Sequence, residues 1–276
     1  MLISSRTLLA QNRAVKDLGR SSHSQRELSE SLASGSRMNS AATDVGLTSQ
    51  LDSGQSDKIS LGAAMRNMND GLSMLSTMEG TLSAIESTIT RIRELAVQAS
   101  NETYNGTDRV FMNTEVLQNF SQLDALSGTT NYNGVSLFGN AETSFTLQVG
   151  LSAGSVDQLN IDLSSFITDS STLGFSSDVL TTTNAQGLIS ESDVALQNVL
   201  SMRSRIGSHQ QQLNSMLSDS MSKQENITET VAEQSDTDYA KASAELTSEG
   251  IKTQSALAAM TQARSIQQNT IMGLLQ

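Results

Sequence analysis

Twelve apolar residues recur at steps of four and three between Leu61 and Ala99, and this stripe constrains the fold more than any other feature of the chain. Such spacing predicts a single helix with one apolar face. At 1.5 Å per residue the helix would be roughly 58 Å long, so it needs other long helices to pack against. The stripe consists of Leu61, Met65, Met68, Leu72, Leu75, Met78, Leu82, Ile85, Ile89, Ile92, Ala96 and Ala99.

The composition also favours long helices packed side by side. The 276 residues include no Pro, no Cys and no Trp. Pro in a helix interior costs about 3 kcal/mol, so its absence favours uninterrupted helices. Aromatic residues at 3 % and hydrophobic residues at 37 % leave little material for a thick core. Gly71 and Gly80 lie inside the predicted helix, and we expect close approach of a neighbouring helix to compensate for their low helix propensity.

The net charge of −12 is unevenly distributed along the chain. Residues 1–45 carry six basic and four acidic residues, and residues 236–276 carry three and four, so the middle holds the negative charge. This balance argues against nonspecific binding to nucleic acid. Near-neutral ends suit burial among many copies of one chain, and an acidic middle suits contact with water.

No segment of the sequence resembles a membrane span or a cleaved signal peptide. The chain has no run of 18 apolar residues, and Arg6, Gln11, Asn12 and Arg13 interrupt any apolar region near the start. We therefore expect no membrane partner, and export, if it occurs, without a cleaved signal. The lack of Cys excludes disulfide and thiolate chemistry only.

Four further segments show helical spacing. Residues 1–33 carry sparse apolar positions, which predict a helix that is largely disordered without a partner. A shorter helix with Val110, Leu117, Phe120, Leu123 and Leu126 follows a turn at 103–106. A long helix is predicted to begin at Ser190, where Asp193 completes a capping-box pattern, and a final amphipathic helix follows a break at 235–238.

Between the helices the period changes to that of strands. Asn133-Gly134 is a strong turn signal. Phe145, Leu147 and Val149 alternate with polar residues, as do Leu159, Ile161 and Leu163, and this pattern predicts a hairpin packed on the helices. The polar stretch 168–187 is interpreted as an exposed loop and as the easiest place for an insertion.

These patterns predict a mainly α protein, a long helical bundle or coiled coil with a small β-hairpin region. We predict a terminal assembly domain (1–45 and 236–276), a helical rod domain with the hairpin (46–167 and 188–235) and an exposed variable loop (168–187).

Short runs in several parts of the chain resemble those of bacterial flagellins, and they occur in the family's order. They are Leu-Ala-Ser-Gly-Ser-Arg-Met-Asn at 32–39, Arg-Asn-Met-Asn-Asp-Gly at 66–71, Glu-Gly at 79–80, Arg-Ile-Arg-Glu-Leu-Ala-Val-Gln at 91–98, Asn-Gly at 133–134, Leu-Gln-Val-Gly at 147–150, Asp-Thr-Asp-Tyr-Ala at 236–240 and Leu-Leu-Gln at 274–276. Because the runs cover nearly the whole chain, it is identified as a member of this family.

The resemblance implies a subunit that polymerises into the extracellular flagellar filament for swimming motility, without catalysis and without a cofactor. It implies export in an unfolded state through a type III export apparatus. It also implies paired N- and C-terminal helices that line a tube, with the helical domain outside them. The implied partners are further copies of the chain, hook-associated junction and cap proteins, a flagellin export chaperone and the export apparatus itself.

The resemblance also assigns residues. Arg91, Arg93 and Glu94 are expected to support contacts between neighbouring subunits. The Toll-like receptor contact positions of some family members map onto Arg91, Leu95 and Glu115. Apolar positions near the two ends are expected to pack the inner tube, and they are Leu8, Val15, Leu18, Leu32, Leu257, Met260, Ile271, Leu274 and Leu275.

Three other functions are alternatives to that of a filament subunit. The closest is a hook-filament junction protein, which would share the terminal helices but cap a joint. A coiled-coil adaptor would form a closed dimer or tetramer. A hydrolase is suggested only by Gly150-Leu151-Ser152-Ala153-Gly154, which matches G-x-S-x-G, but a nucleophile elbow needs a strand entering a helix and a histidine base.

The remaining chemistry-bearing residues favour structural roles. His23 and His209 lie far apart in helical patterns, and no Cys accompanies them, so an ordinary zinc site is not expected. Met65, Met68, Met74 and Met78 have the spacing of core residues, although an adaptable binding groove is the alternative.

Overall fold

The computed structural model describes residues 2–38, 45–138 and 144–274, without the side chains of residues 2–11, 267, 270, 271, 273 and 274. Within these ranges the helices are α1 (Leu2–Ser34), α2 (Val45–Ala99), α3 (Gly106–Thr129), α4 (Thr182–Ser235) and α5 (Tyr239–Leu274). Four short strands form two antiparallel hairpins, β1 (Asn131–Tyr132) with β2 (Val135–Ser136) and β3 (Ser144–Gln148) with β4 (Gln158–Asp162). The predicted mainly α fold with a small β region is confirmed.

The chain divides into two compact units. One comprises Met1–Ser56 and Asn226–Gln276, and the other comprises Asp57–Glu225. The predicted domain bounds at 45/46 and 235/236 lie close to helix ends, whereas the division between the units falls inside α2 and α4. Our assignment of an assembly domain and a rod domain stays a prediction. No helix in the described ranges has the length and apolar character that crossing a bilayer requires.

The core of the Asp57–Glu225 unit is built on the α2 stripe, as predicted. Ten of its twelve residues are buried, and Met65 and Leu72 are partly buried against the same core. Met68, Met74 and Met78 are also buried, so the methionines fill the core and do not line an open groove. Burial of this stripe holds α2 in the unit, since each fully buried large apolar side chain contributes about 1.5–3 kcal/mol.

Within this unit α4 runs antiparallel to α2. Arg203 of α4 contacts Glu79 and Glu86 of α2, and further along, Asp193 contacts Arg93. The predicted start of this helix at Ser190 is wrong, because α4 begins at Thr182. The hydroxyl of Thr181 accepts a hydrogen bond from Asn184 N at 3.2 Å and so caps the earlier start, and Ala185 and Leu188 already belong to the core.

The two glycines of α2 differ in their surroundings. A Cβ at Gly71 would lie 2.5 Å from Leu147 Cδ1 of β3 and 3.3 Å from Leu213 Cδ1 of α4, so close approach does explain this glycine. At Gly80 a Cβ would meet no atom within 4 Å. The expected close approach is therefore wrong at Gly80.

The predicted apolar face of α3 is partly wrong. Met112, Val116 and Leu123 are buried, whereas Val110 and Leu117 are exposed. The helix begins where predicted, with a capping box between Asn105 and Asp108. The rotation of α3 about its axis is set by its packing in the core with α2. The apolar spacing of α3 alone does not reveal this rotation.

Both hairpins follow their sequence signals. Asn133 and Gly134 have φ of 49° and 82°, the positive values that a two-residue hairpin turn requires. In the second hairpin Phe145 lies opposite Ile161 and Leu147 lies opposite Leu159. This hairpin packs on α2 through Leu147 at Gly71, and the Asn67 side-chain amide donates to Gln148 O at 3.0 Å.

The interpretation of 168–187 as an exposed loop is wrong in part, because the segment is irregular only up to Thr181 and is not exposed throughout. Thr168, Leu173 and Val179 are buried, and residues from Thr182 onward belong to α4. Phe175 packs on Phe120 of α3 with ring centroids 5.1 Å apart. Leu173, Phe175 and Val179 are isolated apolar side chains that form no helical or strand period. The sequence pattern therefore resembles that of a loop.

Candidate assembly surfaces

The terminal helices α1 and α5 pair within the Met1–Ser56 and Asn226–Gln276 unit but bury little. The Ser21 hydroxyl of α1 donates to the Glu249 carboxylate of α5, which also pairs with Lys252 Nζ at 2.7 Å. These bonds, chiefly the one from Lys252, lower the pKa of Glu249. Among the described side chains of the two helices, the buried ones are Ser21, Ser31 and Ala242. The described part of the pair therefore contains no apolar core of its own.

Of the nine predicted terminal positions, two are exposed, three are partly buried and four have side chains outside the described part of the structure. Val15 is 55 % exposed and Leu257 is 50 % exposed. Leu18, Leu32 and Met260 are partly buried. The side chains of Leu8, Ile271 and Leu274, and the whole of Leu275, lie outside the described part of the structure.

Backbone hydrogen bonds join the segment after α1 to the segment before α5. Arg37 N donates to Ser235 O at 2.7 Å, and Thr237 N donates to Gly35 O at 3.0 Å. The Arg37 guanidinium also donates to Gln234 O at 2.9 Å. Gly35 has a φ of 74°, a conformation that favours glycine and ends α1. We call this set of bonds the terminal tie, and it joins two of the runs that carry the family resemblance.

On α2, Arg91 forms a charged cluster with Glu94 and Glu115 at the surface. Arg91 Nη2 lies 2.6 Å from Glu115 Oε1, and Arg91 Nη1 lies 3.2 Å from Glu94 Oε2. The hydrogen bonds to Glu115 and then to Glu94 raise the pKa of Arg91 above its usual value. The cluster links α2 to α3 while each side chain keeps a large exposed fraction.

The other two residues assigned from the resemblance have different surroundings. Arg93 Nε donates to Asp193 Oδ1 of α4 at 2.7 Å and remains partly exposed. Leu95 is only 2 % exposed because it belongs to the core, so in this structure it offers no surface for a receptor. The mapped receptor contacts stay a prediction; of the three residues, Leu95 is buried while Arg91 and Glu115 lie together at the surface.

Sequence reasoning missed the ion pairs of Arg203. Its guanidinium contacts Glu79 Oε1 at 2.7 Å and Glu86 Oε2 at 2.5 Å, and it ties α4 to α2. A signal was available, because Arg203 occupies the apolar stripe of α4 and Glu79 and Glu86 lie seven residues apart on α2. A charge in a helix seam calls for opposite charges on the facing helix.

The G-x-S-x-G match forms a strand-to-strand turn. β3 leads through a short 3-10 turn (Ser155–Asp157) into β4. Ser152 N donates to Asp157 Oδ2 at 2.7 Å, and Val149 N donates to Asp157 O at 2.9 Å. This is not the strand-to-helix geometry of a nucleophile elbow. Among the described residues, no group of three His, Cys, Asp or Glu is arranged to hold a metal ion.

Two family models match the chain. The model described as the bacterial flagellin N-terminal helical region matches residues 6–143, and the model of the bacterial flagellin C-terminal helical region matches residues 189–275. The first match covers α1 to α3, and the second covers most of α4 together with α5.

Proteins of similar sequence are named flagellin, as the two family models are. A flagellin of Halalkalibacterium halodurans is 31 % identical over 265 residues, which are 95 % of this chain and 96 % of that protein. A flagellin of Salmonella choleraesuis is 35 % identical over 190 residues, or 69 % of this chain. The match covers 35 % of the Salmonella protein, so the chain spans about a third of that relative's length.

Solved structures show the same architecture. The crystal structure of Bacillus cereus flagellin matches 56 % of this chain and 88 % of its own, with 30 % identity and a TM-score of 0.50. A putative flagellar hook-associated protein from Vibrio parahaemolyticus matches 70 % of this chain and all of its own, with a TM-score of 0.58. Its identity is 15 %, so this second likeness concerns the fold alone.

Proposed function

The chain belongs to the bacterial flagellin family, and from this premise we propose that its copies assemble through the exposed apolar side chains of the paired terminal helices. A flagellin is a structural protein that polymerises into the extracellular filament of the flagellum. What the proposal adds is which surfaces of this chain make the contacts.

One observation carries the proposal: the described side chains of the long helices α1 and α5 form no apolar core. Val15, Ile251 and Leu257 each expose half or more of their surface. Ordering a helix costs about 1–2 kcal/mol per residue in backbone entropy, and isolated helices are marginal in water. The missing burial would come from other copies of the chain, so that the helices are stabilised as they assemble.

The contacts would join different faces of successive copies. Such heterologous association does not close on itself and so produces a helical polymer. In the proposed polymer the terminal positions Leu8, Val15, Leu18, Leu32, Leu257, Met260, Ile271, Leu274 and Leu275 pack the inner tube. The terminal tie would keep α1 and α5 in register during this step.

The charged residues of α2 receive a secondary role. We propose that Arg91, Arg93 and Glu94 support contacts between neighbouring subunits, with Glu115, Glu94 and Asp193 holding the two guanidinium groups in place beforehand. Arg91 and Glu115 are also the candidate contacts for a Toll-like receptor, because they are the exposed members of the three mapped positions.

Further partners follow from family membership. We propose that the chain passes unfolded through a type III export apparatus without a cleaved signal peptide, with an export chaperone holding it beforehand. Hook-associated junction and cap proteins would bind the two ends of the filament.

The test is to delete residues 1–35 together with 240–276 and to seed the purified fragment with filament ends. We expect no polymerisation, while helical circular dichroism and a cooperative melt persist because the α2 core lies outside the deleted segments. The full chain under the same conditions is the control. Filaments grown from the fragment would refute the proposal.

The same assay separates a filament subunit from a junction protein. A filament subunit elongates seeds without limit as monomer is added, whereas a junction protein adds a short layer and stops. A closed adaptor would give particles of fixed size. Electron microscopy of the seeded reaction distinguishes these three results.

A further inference from the structure

Three glutamates follow one another along the exposed side of the last part of α4. Glu225, Glu229 and Glu233 are spaced four residues apart, and all are exposed. Residues at this spacing share a helix face, where like charges repel one another. Glu233 also lies in the last turn, where the helix dipole disfavours negative charge and where α4 has no basic residue of its own. We call these residues the glutamate stripe.

The glutamate stripe is unpaired in the part of the chain that the structure describes, where no ion pair involves any of its three residues. Lys223, two residues before Glu225, pairs with Asp219 at 2.7 Å. Arg37 does reach the end of α4, but its guanidinium donates to the Gln234 carbonyl oxygen.

A stripe of opposite charge lies on α1. Arg13, Lys16 and Arg20 are spaced by three and four residues, so they share one face of the helix, and all are exposed. Asp17 lies among them, which leaves an excess of positive charge. None of the three basic side chains forms an ion pair with another described residue. We call Arg13, Lys16 and Arg20 the basic stripe.

The two stripes match in length. At 1.5 Å per residue the basic stripe spans about 10 Å and the glutamate stripe about 12 Å. Side chains of Arg and Glu are long enough to absorb this small difference. Two helices lying side by side can therefore pair the three charges of one with the three charges of the other.

Among the described residues, no ion pair joins the two stripes of a single chain. The terminal tie brings the end of α4 to the segment that follows α1. Arg20, the nearest member of the basic stripe, lies fourteen residues before the end of α1 at Ser34, which is about 21 Å along the helix axis. Each stripe is therefore open to a partner from another molecule.

We propose that the glutamate stripe of one copy docks on the basic stripe of the α1 helix of a second copy. This contact rests on the self-assembly proposed above and assigns it a pair of surfaces. Because the two stripes differ, the contact is heterologous and leaves one free stripe at each end of a pair, as an open polymer requires. Complementary charges of this kind select the register of an interface and reject wrong partners.

The test uses charge reversal in the full chain. One variant carries Glu225→Lys, Glu229→Lys and Glu233→Lys, a second carries Arg13→Glu, Lys16→Glu and Arg20→Glu, and a third carries all six changes. The control carries Asp52→Lys, Asp70→Lys and Glu102→Lys, which shift the net charge as the first variant does but at exposed acids outside the stripe and outside α1 and α5. Critical concentration in seeded polymerisation is measured for each, and circular dichroism verifies the fold.

We expect each triple variant to lose seeded growth or to raise the critical concentration more than about tenfold, because like charges then face each other. The six-residue variant should polymerise again, and the control should stay close to the original chain. Triple variants that grow normally, or a folded six-residue variant that stays monomeric, would overturn the docking. Should the triple variants grow normally while the terminal deletion still abolishes growth, the docking alone is wrong and the proposed function stands.

Discussion

At the scale of single residues, substitutions at Gly71 and Gly80 of α2 are expected to change the free energy of unfolding in opposite directions. Gly71→Val should lower the free energy of unfolding by about 1–3 kcal/mol, since added atoms would collide with Leu147 and Leu213. Gly80→Ala should raise it by about 1 kcal/mol, because the site is open and Ala is the better helix former. Urea unfolding followed by circular dichroism measures both. An increase for both variants would show that the hairpin moves aside at little cost.

Single residues also show where sequence reasoning fails. The spacing of Leu61 to Ala99 was sufficient to predict which face of α2 is buried, because a long stripe averages over local exceptions. It was not sufficient for Leu95, which lies outside the stripe and is buried by contacts that only the tertiary structure provides. The partners of Arg203 were likewise hidden, since they depend on the register of α4 against α2.

At the scale of elements, the helices and hairpins could be predicted from period and turn chemistry, but their rotations and starts could not. The α3 residues Val110 and Leu117 fit an apolar stripe, yet the packing of α3 selects Met112 and Val116 instead. The start of α4 was placed too late because Thr181 is a weaker sequence signal than the Ser190 and Asp193 pair. The segment before α4 has no helical or strand period in its sequence. The burial of Leu173 and Val179 could therefore not be predicted from spacing.

That segment is anchored on α4 by one carboxylate. The Glu191 side chain accepts hydrogen bonds from the backbone amides of Ser176 and Ser177, both at 3.1 Å, and from their hydroxyls at 2.7 and 2.9 Å. Burial acts to raise the pKa of Glu191, but these four bonds outweigh it and the pKa is lowered. The ionised form is thus favoured by folding.

Glu191→Gln should lower the free energy of unfolding by about 1 kcal/mol near neutral pH. A lowered pKa in the folded state means that this stabilisation is fully present above the ordinary value of 4.5 and is lost as the pH falls through the lowered pKa. The difference between the two proteins should therefore vanish in acid. Thermal melts across this range measure it, with Glu225→Gln as the exposed control. A difference that persists unchanged at low pH would show that the carboxylate charge is not what anchors the segment.

At the scale of the whole molecule, the apolar core lies in one part of the chain and the proposed assembly surfaces lie in another. The Asp57–Glu225 unit contains a continuous apolar core, whereas α1 and α5 bury few residues and are held together by isolated hydrogen bonds and by the terminal tie. The sequence already indicated this division, because apolar residues are dense between 61 and 99 and sparse before 34. A protein that is stable in the middle and marginal at its ends is suited to remain monomeric until an existing filament end supplies partners.

This division predicts a contrast in hydrogen exchange between monomer and filament. In the monomer, amides of α1 and α5 should exchange rapidly, since opening a helix that buries little apolar surface costs little free energy. In the filament, exchange of the same amides should slow by about a hundredfold or more, because the proposed contacts must break before the helices open. Amides between Leu75 and Ile92 should be protected in both states and serve as the internal control. Mass spectrometry of exchanged peptides measures all three regions, and terminal helices already protected in the monomer would contradict assembly by ordering of the ends.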